Sequence, residues 1–107
     1  MNKTEVYISM RDRFGFRAQL AKAAEECSEL SAAINKMLVW ELSNSRDAES
    51  FSGLRRRIVE ELGDVYTTLE QAERILEIDD AELYEREIAN LCKMKKLLDK
   101  PESAYNN

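Results

Sequence analysis

Apolar side chains recur at steps of three and four residues along most of the chain, which is the spacing of an amphipathic helix. The two longest patterns run from Phe16 to about Leu42 and from about Leu54 to about Ile78. The first predicts a buried stripe at Leu20, Ala24, Cys27, Leu30, Ser31, Ile34 and Leu38. The second predicts a stripe at Ile58, Leu62, Val65, Leu69, Ala72 and Leu76. No segment alternates as a half-buried strand would, so an all-α fold is predicted.

Shorter elements complete this pattern. A short helix is predicted from Thr4 to near Gly15, and a last helix follows a cap at Asp79 or Asp80. The buried side of that last helix is predicted at Tyr84, Ile88, Leu91 and Leu98. Residues 43–53 are polar and are predicted to be a loop, and residues 101–107 a flexible tail. We expect one domain over residues 1–100, a bundle of three main helices plus the short N-terminal helix, completed by homo-oligomerisation.

Composition narrows the classes of function. The net charge of −5 argues against binding to nucleic-acid polymers or anionic membranes. No apolar run is long enough to span a membrane and no signal pattern opens the chain, so a cytoplasmic protein is expected. Cys27 and Cys92 fall on apolar helical positions and are expected to be buried free thiols.

The chain contains 0 histidines, which excludes Ser-His and Cys-His nucleophilic sites and zinc sites that use imidazole. Any bound metal would therefore have oxygen ligands. Oxygen ligands favour Mg²⁺, with Mn²⁺ as a substitute.

Two similar acidic stretches, EECSEL at 25–30 and EELGDV at 60–65, lie inside the two long helical patterns. A helix turns by about 100° per residue, which places Glu25 and Glu60 nearly opposite the apolar stripes. The other acids lie on the flanks of the stripes, on the same side in both helices: Glu26, Glu29, Glu61 and Asp64. If these faces meet, a divalent cation is the expected occupant and a phosphate anhydride the natural substrate class. Alternatively, such pairs are ordinary solvated acids of a highly charged chain.

The two motifs resemble those of the all-α nucleoside triphosphate pyrophosphohydrolases of MazG type. The Glu-Glu-x-x-Glu and Glu-x-x-Asp signatures of that family match residues 25–29 and 61–64, and the resemblance covers roughly Phe14 to Leu76. It implies Mg²⁺ binding and catalysis by Glu26, Glu29, Glu61 and Asp64. It also implies hydrolysis of a (deoxy)nucleoside triphosphate to the monophosphate and pyrophosphate, in a homodimer or homotetramer. The alternative is a non-catalytic protein-interaction module of the same helical fold.

Further side chains near the acid-bearing faces are candidate substrate contacts: Gln19, Lys22, Lys36, Trp40, Arg57 and Thr68. Lys36 or Arg57 could bind terminal phosphates, and Trp40 could stack on a base. The competing interpretation is that the cations are i, i+4 partners of nearby glutamates and that Trp40 packs in a subunit interface. Without histidine, the expected general base is either a hydroxide bound to the metal or a carboxylate such as Glu29.

Overall fold

The structure, a computed structural model, describes residues 2–100, and these residues form four α-helices and no strand. The helices are α1 (Lys3–Phe14), α2 (Phe16–Leu42), α3 (Ala48–Ile75) and α4 (Asp80–Leu98). The predicted all-α fold is confirmed. The predicted tail, residues 101–107, lies outside the described residues. Within residues 2–100, every helix is too short or too polar to cross a membrane.

Side-chain caps determine where α3 and α4 begin. The backbone N–H of Ser50 donates to Asp47 Oδ2 at 2.8 Å, so Asp47 caps α3. Asp79 and Glu82 each accept a hydrogen bond from the other's backbone N–H, which forms a reciprocal capping box at the start of α4. The cap predicted at Asp79 or Asp80 is confirmed at Asp79.

The junction of α1 and α2 is a single residue, Gly15. Its φ of 93° and ψ of 153° lie in a region of backbone conformation that is essentially restricted to glycine. Its N–H donates to the carbonyl oxygen of Arg11 at 2.8 Å, which closes the last turn of α1. The chain therefore passes from α1 into α2 without a loop.

The connection between α2 and α3 is shorter than predicted. A loop was expected over residues 43–53, but α3 begins at Ala48 because Asp47 caps it, and only residues 43–47 are outside the two helices. The other end of α3 is at Ile75, three residues before the predicted end at Ile78. The expected loop is therefore wrong over residues 48–53, which form the first turns of a helix.

The chain divides into two compact units, each with most of its contacts inside itself. The first unit ends at Leu76 and the second begins at Glu77. In the first unit, α2 and α3 pack side by side as an antiparallel hairpin, and α1 touches both helices. The second unit contains α4. A single domain over residues 1–100 stays a prediction.

The face of α2 that packs against α3 differs from the predicted stripe. The buried residues of α2 are Gln19, Ala23, Glu26 and Ala33. In contrast, Ile34 and Leu38 from the predicted stripe are 48% and 53% exposed. The buried positions precede stripe positions by one residue, so α2 is turned by about 100° from the predicted orientation. Two of the four buried positions are alanines, Ala23 and Ala33, and small side chains allow packed helices to approach closely.

Two other burial predictions are wrong. No residue of α4 is buried, although its predicted buried side contained Tyr84, Ile88, Leu91 and Leu98. The thiols of Cys27 and Cys92 are free, as expected, but exposed. The predicted positions in α4 and the two cysteines have the spacing of a buried apolar face. Spacing alone does not identify the surface that would bury them.

Candidate functional site

The contact between α2 and α3 buries an unusual number of polar side chains. We call this contact the α2–α3 seam; its buried polar residues are Gln19, Glu26, Glu61, Thr68 and Gln71. Its buried apolar residues are Ala23, Ala33, Val65 and Ile75. Buried polar side chains are more informative about function than exposed apolar ones. The seam is therefore the candidate functional site.

Three carboxylates from the two acidic stretches meet in this seam. One oxygen from each of Glu26, Glu29 and Glu61 lies within 4.8 Å of the other two, and we call these residues the acid cluster. Glu26 is only 5% exposed and Glu61 only 2%, whereas Glu29 is open to solvent. The structure therefore brings together three of the four predicted metal ligands.

The fourth predicted ligand, Asp64, is exposed and is not one of the three clustered acids. Its backbone carbonyl accepts a hydrogen bond from the hydroxyl of Thr68 at 3.1 Å. Asp64 is one turn from Glu61 on α3. Its role as a ligand stays a prediction.

Each buried glutamate forms a short ion pair on its own helix. Lys22 Nζ lies 2.9 Å from Glu26 Oε1, and Arg57 Nη2 lies 2.7 Å from Glu61 Oε1. In both pairs the cation precedes the glutamate by four residues. The sequence makes Lys22 and Arg57 candidate substrate contacts. In the described residues, each of them instead forms the i, i+4 ion pair of the competing interpretation.

The other glutamate of each doublet faces water, as predicted. The side chains of Glu25 and Glu60 are 59% and 57% exposed. Their contacts with the same two cations are longer, at 3.9 Å for Glu25 and 3.7 Å for Glu60. Helix geometry therefore separates the two acids of each doublet correctly.

One oxygen of each buried glutamate remains without a partner. Within residues 2–100, the second carboxylate oxygen, Oε2, of Glu26 and of Glu61 is buried and accepts no hydrogen bond. A buried, unpartnered carboxylate oxygen is costly unless a cation or donor satisfies it. The carboxylates of Glu26, Glu29 and Glu61 together form an all-oxygen donor set, which fits a hard divalent cation such as Mg²⁺.

The neighbouring charges move two pKa values in opposite directions. The hydrogen bond from the Lys22 ammonium lowers the pKa of Glu26, and this outweighs the opposing effect of burial. The negative charge of Glu26 raises the pKa of Glu29, and partial desolvation raises it further. Glu26 is therefore held as a carboxylate, while Glu29 binds a proton more readily than an ordinary glutamate.

Two further predicted contacts, Gln19 and Thr68, lie in the seam but are already hydrogen-bonded. The amide of Gln71 donates to Gln19 Oε1 between the helices. The hydroxyl of Thr68 lies 3.1 Å from the carbonyl oxygens of both Asp64 and Val65. Sequence reasoning missed Gln71, although it lies three residues after Thr68 and ten after Glu61, on the same face of α3.

The last two predicted contacts, Lys36 and Trp40, lie near the loop end of the hairpin. The rings of Trp40 and Phe51 are 5.1 Å apart between centroids and are tilted by 47°. An open groove beside them is lined by Lys36, Trp40, Ser43, Ser45 and Asp47, among others. Trp40 and Glu29 are eleven residues apart on α2, about 16 Å along the helix axis. The structure therefore places this groove at a distance from the acid cluster.

Comparison with protein-family models, curated proteins and solved structures gave no match to this chain. The resemblance of its acidic motifs to the MazG-type family stays a prediction.

Proposed function

We propose that this protein is a Mg²⁺-dependent hydrolase that converts a (deoxy)nucleoside triphosphate to the monophosphate and pyrophosphate. The observation that carries the proposal is the acid cluster: three carboxylates within 4.8 Å of one another, two of them with a buried oxygen that has no partner in the described chain. The motifs that resemble the MazG-type signatures supply these same acids. Mn²⁺ is the expected substitute, because it accepts the same oxygen ligands.

In this proposal the three clustered acids have different tasks. Glu26 and Glu61 are buried and immobilised by ion pairs, so their free oxygens would bind the metal in a fixed position. Mg²⁺, once bound, supplies charge neutralisation for the triphosphate and the leaving pyrophosphate. Glu29 is exposed beside the two buried acids, and it is the carboxylate proposed to accept the proton of the attacking water. Asp64, exposed one turn from Glu61, is proposed as a further ligand.

The test is a panel of ribo- and deoxynucleoside triphosphates with Mg²⁺, in which pyrophosphate and orthophosphate are measured separately. We expect pyrophosphate release by the unmodified protein and strongly reduced release by Glu61→Gln. The matched control is Glu60→Gln, which changes the adjacent acid that faces water. Release of orthophosphate alone, or full activity of Glu61→Gln, would contradict the proposal.

The second candidate is a non-catalytic protein-interaction module, and one observation favours it. Both buried glutamates already have a cation within 3 Å, from Lys22 and Arg57, so these two ion pairs could be purely structural. Calorimetric titration with Mg²⁺ separates the two candidates. A folded protein that releases no heat of binding and hydrolyses no nucleotide would be the interaction module.

We also propose that the chain forms a homo-oligomer, a dimer or a tetramer. The support is the outer face of α2, which we define as Ala24, Cys27, Ile34 and Leu38, all of them exposed. A contiguous apolar helix face of this kind is normally covered by another surface. Light scattering at micromolar concentration should give a multiple of the chain mass of 12.4 kDa. A monomeric mass would contradict this proposal.

A further inference from the structure

Lys22 and Arg57 occupy equivalent positions in two different helices. Each lies four residues before a buried glutamate, with its nitrogen 2.9 Å or 2.7 Å from one carboxylate oxygen. In each case the other oxygen of the same carboxylate is buried and unpartnered within the described residues. The two ion pairs therefore flank the acid cluster from both sides of the seam.

Helix stabilisation does not explain these pairs well. An i, i+4 pair stabilises a helix better when the acid precedes the base, and both pairs have the opposite order. The cations are also poorly enclosed, since 53% of the Lys22 side chain and 58% of the Arg57 side chain are exposed. Either cation can therefore swing away into solvent without leaving a cavity, whereas the buried glutamates cannot follow.

The buried carboxylates need a counter-charge at all times. Removing the partner of a buried charge is strongly destabilising, so Glu26 and Glu61 require either their own cations or a substitute. Two monovalent cations beside three carboxylates leave one negative charge uncompensated. A divalent cation between the carboxylates supplies the same two positive charges, and so makes both side-chain cations available to another anion.

We propose that Lys22 and Arg57 are exchangeable counter-ions: they neutralise Glu26 and Glu61 until a divalent cation enters the acid cluster, and then bind the phosphates of the substrate. This inference rests on the proposed function, because it assigns these two residues a place in the same site. Both cationic groups lie within 3 Å of a clustered carboxylate oxygen, at the edge of the proposed metal site. A lysine ammonium and an arginine guanidinium are the side chains that bind phosphate oxygens best.

The first experiment measures divalent cation affinity, using Mn²⁺ alone and the electron paramagnetic resonance signal of the free ion. Because the competing cation is removed, Lys22→Met and Arg57→Met should bind Mn²⁺ about tenfold more tightly. The controls are Arg17→Met and Arg56→Met, which remove the same charge from exposed positions of α2 and α3. At an ionic strength of about 0.15 M, screening should keep the controls within about twofold of the unmodified protein.

The second experiment measures the affinity for inorganic tripolyphosphate in the presence of excess Mg²⁺. Here Lys22→Met and Arg57→Met should bind about tenfold more weakly, because the phosphates lose a cation partner. Opposite changes for the metal and for the polyphosphate are required by exchange. Removal of a fixed cation beside the site would also give opposite changes, so movement of the two side chains must be measured directly.

A third measurement needs no variant and so does not depend on how well the variants fold. In the unmodified protein, nitrogen-15 NMR signals of the Lys22 ammonium and the Arg57 guanidinium should shift as Mg²⁺ is added, while those of Arg56 should not. Unchanged signals during saturation with Mg²⁺ would overturn the exchange, as would equal Mn²⁺ affinities in all four variants. If exchange is observed but no nucleotide is hydrolysed, the proposed function fails and the exchange stands.

Discussion

Two faces of the same helix, α2, have opposite chemistry and opposite burial. The face toward α3 is polar and small, with Gln19 and Glu26 almost fully buried. The outer face carries Ile34 and Leu38, which are about half exposed. In an isolated globular domain the apolar face would be expected inside, because burial of apolar area is the main favourable term in folding.

In the proposed function, the seam and the outer face have different roles. Burial of acids in the seam costs free energy, and ion pairs offset only part of that cost. In that proposal, the seam is a preformed cation-binding site. In the proposed homo-oligomer, another copy of the chain covers the outer face.

The largest expected effect is a loss of catalytic activity when a buried acid of the seam is changed. Glu26→Gln should lower kcat/KM for the best nucleotide by at least about 100-fold, because it removes a proposed metal ligand. Glu25→Gln makes the same chemical change at the adjacent exposed position and should stay within about twofold. Steady-state kinetics with pyrophosphate detection provide both values, and circular dichroism confirms that both variants are folded. Equal losses in the two variants would mean that the assignment of faces is wrong.

The next effect concerns assembly through the outer face. Ile34→Glu places a charge on this face and should reduce the mass measured by light scattering toward the 12.4 kDa of one chain. Ala32→Glu adds the same charge at an exposed position of α2 outside the outer face, and should leave the mass unchanged. An unchanged mass for Ile34→Glu would remove the outer face from the proposed interface.

Much of the local structure was predictable because local interactions determine it. The spacing of apolar residues predicts the four helices, and a short acidic side chain before a helix predicts the cap at Asp79 or Asp80. The rotation of about 100° per residue also separates Glu25 and Glu60 from the other acids, since this depends only on the helix to which they belong.

The orientation of α2 was not predictable in the same way. Its apolar stripe and its small-residue face are about 100° apart, and sequence periodicity does not indicate which neighbour covers each. The pairing of Gln19 with Gln71 depends on this orientation and was missed for the same reason. Likewise, the early start of α3 depends on the hydrogen bond from Ser50 to Asp47, within a stretch that looks like a loop because it is polar.

A third prediction tests whether the polar seam depends on matched partners. Gln19→Met should lower the free energy of unfolding by about 1–3 kcal/mol, because Gln71 loses its buried acceptor. The double variant Gln19→Met with Gln71→Met removes both groups and should recover most of this loss. Urea unfolding of the two single variants and the double variant gives the coupling. Purely additive effects would show that the hydrogen bond contributes nothing specific.

The smallest expected effect extends the comparison to α1, whose one buried residue, Tyr7, carries a hydroxyl group. Tyr7 donates a hydrogen bond to Glu70 at 3.3 Å, and burial together with the charge of Glu70 raises the pKa of Tyr7 above its ordinary value of 10.0. Because the folded pKa is the higher one, this stabilisation is complete below about pH 10 and is lost as pH rises through the folded pKa. Unfolding free energy should therefore fall less steeply above pH 10 in Tyr7→Phe than in the unmodified protein. A Tyr7→Phe curve parallel to that of the unmodified protein would contradict this prediction.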